Sequence, residues 1–214
     1  MTEGDARISM AKSRQWLLPT LVGAASAIVA LMILAAAIMY SGSYDVAADD
    51  PHSDAVAGLL ATTRERSIAT HASSVEVPSD LTSAERIATG AGLYAEMCSQ
   101  CHLGPGVAPT EISQGLYPKA PHLAAGGNRD KREEFWAIKH GIKFSAMPAW
   151  GATHSDELIW DMVAFLQQMP GMSAEQYSAS VAAAPAEHDE IMAGDGADHA
   201  HGAHGHHHEA NESH

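Results

Sequence analysis

The stretch that most constrains this chain is Cys98-Ser99-Gln100-Cys101-His102, which contains the only two cysteines in 214 residues. The cysteines stand three residues apart and a histidine follows directly, which is the C-x-x-C-H haem-attachment pattern. In a helical turn, residues three apart project from one face, so two thiols can reach two vinyl groups of one porphyrin. The histidine then supplies the proximal imidazole ligand of the iron. The pattern therefore predicts one covalently attached haem c.

Three other interpretations of the two thiols are disfavoured. A disulfide between Cys98 and Cys101 would close a very small loop and stabilise little. A thioredoxin-type dithiol is typical of a βαβ setting, whereas the residues before Cys98 have a helical pattern. A zinc site would require further ligands at fixed spacing, and the chain has no second cysteine pair.

An uncharged segment of 24 residues, Leu17–Tyr40, lies near the N-terminus. It is long enough to cross the hydrocarbon core of a bilayer as a helix. Trp16 and Tyr40 flank it, where amphipathic rings favour the membrane interface. We expect a transmembrane anchor over residues 16–40, which would contact the lipid bilayer. A cleaved signal peptide with Val46-Ala47-Ala48 as its cleavage site is the alternative.

The charges on either side of this segment differ in sign. Basic residues lie before it and acidic residues after it: Arg7, Lys12 and Arg14 against Asp45, Asp49 and Asp50. The positive-inside rule then predicts a cytoplasmic N-terminus over residues 1–15. We expect a single-pass protein of the cytoplasmic (inner) membrane whose remaining residues face the periplasm.

Residues 41–79 are predicted to be a juxtamembrane linker with a short helix over Ala55–Ile68. Three helices are expected over residues 80–176: one that begins at a Thr82-x-x-Glu85 capping box, one over Asn128–Lys139 with Gly141 as its stop, and one over Asp156–Met169 capped by Ser155. An irregular loop rich in Gly and Pro separates the first two. The pattern predicts a small all-α domain.

The second axial position of the iron is predicted to hold Met147, which lies 45 residues after His102 in an expected loop. The following proline favours an extended backbone there, which lets the side chain project. A thioether ligand raises the reduction potential and suits electron transfer. His140 and His154 are the alternative ligands, and a purely packing role for Met147 also stays open.

Four groups of residues together resemble a class I (mitochondrial-type) monohaem cytochrome c, in a membrane-anchored bacterial form. They are Gly90-x-x-x-Tyr94-x-x-x-Cys98-x-x-Cys101-His102, Ala120-Pro121-His122-Leu123, Gly141-Ile142-Lys143-Phe144-Ser145-Ala146-Met147-Pro148 and Ala164-Phe165-Leu166. The resemblance covers about residues 80–172. It implies the all-α cytochrome c fold, a small globular haem domain, here preceded by one N-terminal transmembrane helix.

The resemblance also implies roles for individual residues. Gly90 and Tyr94 would meet Met162 and Phe165 where the first and last helices cross. The carbonyl of Pro121 would accept a hydrogen bond from His102 and so orient its imidazole. The full set of predicted cofactor-binding residues is Cys98, Cys101, His102, Met147, Pro121, Leu123 and Trp136.

The C-terminal segment 177–214 has seven acidic residues and no Lys or Arg. We expect it to be disordered, since it has few apolar residues to bury. Its histidines predict loose binding of Cu, Zn or Ni: His199, His201, His204, His206, His207, His208 and His214. An inert tail is the alternative.

The charge of the chain limits its partners. The formal net charge is −14, so no nucleic acid is expected as a partner. A local basic cluster, Arg129, Lys131, Arg132, Lys139 and Lys143, indicates either a docking surface for an acidic partner or an ordinary solvated helix face.

Together these features predict an electron carrier rather than an enzyme, alone or as a subunit of an oxidoreductase complex. It would take electrons from a membrane or periplasmic dehydrogenase and deliver them to an oxidase or reductase. The alternatives are a haem enzyme or gas sensor with an open sixth site, and a metal-handling protein that uses its His-rich tail.

Overall fold

The computed structural model describes residues 3–126 and 130–185, and no strand occurs among them. Its helices are α1 (Glu3–Ser41), α2 (Asp54–Ala72), α3 (Ala84–Leu93), α4 (Ser99–His102), α5 (Glu111–Gly115), α6 (Lys131–His140), α7 (Asp156–Gln168) and α8 (Ala174–Ala182). A π-helical turn, Tyr94–Cys98, connects α3 to α4. The chain divides near residue 50 into an N-terminal and a C-terminal compact unit.

Helix α1 makes up most of the N-terminal unit. Its segment Pro19–Ser41 is long and apolar enough to cross a membrane. The large apolar side chains described in this segment are exposed, Leu31 and Ile33 among them. This arrangement is compatible with the single-pass anchor expected over residues 16–40.

The prediction that residues 41–79 form a linker is wrong from residue 51 onward, where the chain belongs to the folded domain. The helix expected over Ala55–Ile68 extends over the whole of α2, and it packs against α6 as part of the C-terminal unit. The backbone N–H of His52 donates to the hydroxyl of Tyr117 at 2.8 Å, which ties the start of α2 to the domain. Near its end, His71 stacks on Trp136 with ring centroids 5.5 Å apart. Only residues 42–50 therefore separate α1 from the folded domain.

The first helix of the domain begins at a different cap from the one predicted. The N-cap of α3 is Ser83, whose hydroxyl accepts from the backbone N–H of Arg86 at 3.3 Å. Thr82 is one residue too early for that role. The cap at Ser155, which accepts from the N–H of Leu158, and the end of α6 at Gly141 agree with the sequence analysis.

The core of the domain lies where α3 packs across α7. Gly90 lies directly against the carbonyl of Asp161, with the Cβ of Phe165 beside it. The ring of Tyr94, one turn later, lies 5.6 Å from that of Phe165, and Met162 is fully buried in the same cluster. The contact implied by the family resemblance is therefore present.

The tail was predicted to begin at residue 177, and the structure contradicts this boundary. Helix α8 runs to Ala182 behind a capping box formed by Ser173 and Gln176. Tyr177 is buried against Tyr94 and Phe165, with centroids 6.3 and 6.2 Å away. This one aromatic ring gives α8 enough buried surface to dock. Residues 186–214, including all the tail histidines, lie outside the described residues.

An ion pair links the two crossing helices. Arg86 of α3 donates to the carboxylate of Asp161 at 2.7 Å and to that of Asp80 at 3.0 Å. Burial raises the pKa of Asp161 to about 6, and the hydrogen bond from Arg86 acts in the opposite direction. Because the folded pKa is raised, the contribution of Asp161 to stability decreases as the pH rises through about 6.

Substitution of Gly90 tests the crossing. We expect Gly90→Ala to lower the free energy of unfolding by about 1–3 kcal/mol, since a Cβ atom would overlap the backbone of α7. Gly58 of α2 is the control, because a Cβ atom there would meet nothing within 4 Å. Gly58→Ala should leave stability unchanged or raise it by about 0.4–1 kcal/mol. Denaturant unfolding of the holoprotein in detergent measures both, and an equal effect of the two changes would contradict the close contact.

Substitution of Arg86 tests the ion pair. Arg86→Gln removes the cation beside a buried carboxylate, so the folded pKa of Asp161 should rise further. We expect a loss of about 1–3 kcal/mol at pH 8 and a smaller loss at pH 5, where Asp161 is protonated. Asp80→Asn, at the more exposed end of the pair, should cost less than about 1 kcal/mol. Thermal unfolding at the two pH values measures these effects, and a loss for Arg86→Gln that does not depend on pH would refute the assignment.

Candidate functional site

A cavity of about 270 Å³ lies beside the C-x-x-C-H motif. Four parts of the fold enclose it: the motif with the turn before it, the segment 116–123, the end of α6 with the loop after it, and the inner face of α7. Most of its lining is apolar, including Leu116, Leu123, Ile138 and Leu166. An apolar cavity beside two thiols and an imidazole fits a porphyrin with its iron.

The turn that carries the thiols is held by hydrogen bonds on both sides. Ser99 donates from its hydroxyl to the carbonyl of Ala95 at 2.5 Å, and Tyr94 donates to the carbonyl of Leu103 at 2.5 Å. Neither cysteine forms a disulfide in the structure. Before haem attachment, burial raises the pKa of the Cys98 thiol to about 12, and the nearby Cys101 acts in the same direction.

The ring of His102 is oriented by the backbone of the opposite segment. Its Nδ1 atom lies 2.9 Å from the carbonyl oxygen of Pro121, which accepts a hydrogen bond from it. This bond fixes the tautomer and leaves Nε2 as the nitrogen suited to bind iron. The hydrogen bond implied by the family resemblance is therefore confirmed.

Met147 is positioned by a compact loop after α6. Its N–H lies 3.2 Å from the hydroxyl of Ser145, and its carbonyl accepts from the N–H of Ile142 at 3.2 Å. Gly141 begins this loop with φ +66°, and a Cβ atom there would lie 2.7 Å from the carbonyl carbon of Pro148. The loop therefore closes tightly on itself and holds Met147 at the cavity wall.

The structure brings six of the seven predicted cofactor-binding residues to this one cavity. They are Cys98, Cys101, His102, Pro121, Leu123 and Met147. Trp136 is the exception: its ring stacks on His71, contacts the tilted ring of His140, and lines a second cavity instead. Its neighbour Phe135 faces the core, and adjacent residues of a helix do not share a face.

The alternative iron ligands do not line the haem cavity. His140 lines the second cavity, and His154 is buried beside Trp150 with its Nδ1 atom 2.8 Å from the hydroxyl of Thr153. No group of three or more His, Cys, Asp or Glu side chains suited to a metal ion occurs in the part of the chain that the structure describes. The predicted tail site lies outside that part.

Several lining residues were not predicted. Met97 and Met162 are two further thioethers at the cavity, and Trp150 lies beside them. Arg64 of α2 also lines it, from a segment that was expected to be a linker. The sequence did indicate where Arg64 lies on the helix: Leu60, Arg64 and Ile68 are each four residues apart, a spacing that places them on one helix face.

Two of the four residues of the basic cluster that the structure describes, Arg132 and Lys139, have acidic partners within the domain. Arg132 forms an ion pair with Asp130 at 3.1 Å, and Lys139 forms one with Asp156 at 2.6 Å. These pairs favour a solvated helix face over a docking surface.

Comparison with known proteins agrees with this geometry. Residues 85–166 match the family model described as cytochrome C oxidase, cbb3-type, subunit III. This segment is a c-type cytochrome domain. It carries a covalently bound c-type haem, and Cys98 and Cys101 lie within the matched range. No curated protein and no solved structure matches the chain significantly.

Proposed function

We propose that this c-type cytochrome carries single electrons while tethered to the outer face of the cytoplasmic membrane, and that its haem has class I type His/Met ligation. Cys98 and Cys101 would hold the porphyrin through thioether bonds, and His102 and Met147 would bind its iron. The observation that carries this proposal is that the two thiols, the imidazole and a loop-held thioether line one apolar cavity.

The haem supplies one-electron Fe(III)/Fe(II) chemistry, and the chain determines how that chemistry is used. Pro121 fixes the ring of His102, and the hydrogen-bonded loop at Ser145 fixes Met147, so both ligands are held before the iron changes oxidation state. Most of the cavity wall is apolar, which lowers the polarity around the site. An iron bound by both His102 and Met147 would leave no place for a substrate, which favours a carrier over an enzyme.

The proposed membrane anchor indicates which redox partners the haem domain would meet. We propose that a membrane or periplasmic dehydrogenase donates electrons and that an oxidase or reductase accepts them. The matched family is named for a subunit of cbb3-type cytochrome c oxidase, which supports a terminal oxidase as acceptor or as the complex to which this chain belongs. The short connection over residues 42–50 would keep the haem domain concentrated near membrane partners.

Substitution of Met147 tests the ligation. We expect Met147→Leu to abolish the thioether–iron charge-transfer band of the oxidised protein and to lower the midpoint potential, because the soft ligand that favours Fe(II) is lost. The reduced variant should bind CO, whereas the unaltered protein should not. Optical spectra and a redox titration of the purified protein measure these changes.

Met162 provides the matched control, since it is a second thioether at the same cavity but is fixed on α7 within the core. The Met162→Leu variant should keep the thioether–iron charge-transfer band, and its reduced form should not bind CO. Rapid CO binding by the unaltered protein would instead favour the haem enzyme or gas sensor.

A further inference from the structure

Helix α2 places one arginine where the haem cavity meets a second cavity. Arg64 lines both, and the second cavity, of about 770 Å³, lies between α2 and α6 with the loop 141–145. The two cavities also share Pro118, Ile142 and Ser145. Arg64 therefore lies at the boundary between the apolar haem cavity and a more polar space.

The charges around this boundary have one sign. Among the described residues that line the haem cavity, Arg64 and Lys119 are the Lys and Arg side chains, and none is Asp or Glu. The described lining of the second cavity adds Lys143 and also includes no Asp or Glu. Lys119 is exposed, whereas Arg64 is partly buried. The surroundings of Arg64 are therefore suited to an anionic group.

Haem c has such groups at the edge opposite its thioether bonds, where it carries two propionate carboxylates. A carboxylate that enters a partly buried site requires a cation or hydrogen-bond donors to replace its lost water. A guanidinium group matches a carboxylate with two parallel hydrogen bonds, which an ammonium group cannot do. Arg64 has the chemistry and the location for this contact.

The backbone around Arg64 is well fixed, although its side chain has only a weak partner of its own. Tyr117 holds the chain just before α2, and the stack of His71 on Trp136 holds the helix near its end. The neighbouring Glu65 lies 3.8 Å from the guanidinium, and both side chains are more than a third exposed. An exposed ion pair of this kind contributes little to stability, so Arg64 can exchange Glu65 for an anion that it binds more tightly.

We infer that Arg64 binds a haem propionate and that α2, which lies outside the matched cytochrome segment, serves as a strap over the propionate edge of the haem. The inference rests on the proposed function, in which the haem occupies this cavity. The contact neutralises one negative charge near the iron. It therefore favours the reduced state and raises the midpoint potential.

The test compares Arg64→Gln with Arg66→Gln in the full-length holoprotein. Both changes remove one positive charge from α2, but Arg66 is exposed and lines neither cavity. We expect Arg64→Gln to lower the midpoint potential and to shift the propionate bands in resonance Raman spectra. Arg66→Gln should change neither, and Arg64→Lys should restore the potential in part. Far-UV circular dichroism checks that each variant folds.

Equal potentials in the two glutamine variants, or propionate bands that do not respond to Arg64→Gln, would overturn the inference. Failure of the proposed ligation is distinguishable, since it would alter the charge-transfer band of the unaltered protein, whereas loss of the Arg64 contact leaves that band in place. Slower amide exchange in α2 of the unaltered protein than in Arg64→Gln would support the strap directly.

Discussion

The close approach of α3 and α7 at Gly90 is the contact on which the rest of the domain depends. Because no side chain separates the helices there, the carbonyl of Asp161 lies against the Cα of Gly90, and Tyr94 reaches Phe165 one turn later. These two contacts fix the direction of the π-helical turn that follows α3. A π-helical turn is uncommon and concentrates at functional sites. Here it ends at Cys98, so the core contact and the haem attachment are parts of one continuous segment.

Local chemistry made the centre of the site predictable from sequence. The spacing of Cys98, Cys101 and His102 is dictated by the cofactor, and the caps at Ser155 and Gly141 depend on their immediate neighbours. The family resemblance added the contact from Pro121, which joins residues distant in sequence. Thr82 was one residue from the true cap because Thr82 and Ser83 are both good capping residues, and only the backbone geometry distinguishes them.

Tertiary contacts made the flanking segments unpredictable. Helix α2 has only a short apolar row, Leu60 and Ile68 with Arg64 between them, which predicts a helix but does not show what it docks against. Its contacts come from Tyr117 and Trp136, on segments more than forty residues later. The same holds for α8, whose single buried aromatic, Tyr177, docks on Tyr94 and Phe165. Trp136 was predicted to contact the haem, but its helix turns it toward α2.

The two flanking helices differ in what they bury, and the difference indicates different roles. Helix α8 adds Tyr177 to the hydrophobic core, as expected for a helix that stabilises a small domain. Helix α2 has Ala72 as its only buried residue, so hydrophobic burial alone gives little reason for it to dock. Besides the apolar Leu60 and Ile68, α2 presents two polar groups to the domain: Arg64 at the cavity boundary and His71 on Trp136. A helix that gains so little from apolar burial is better explained by a charged group that it helps to hold.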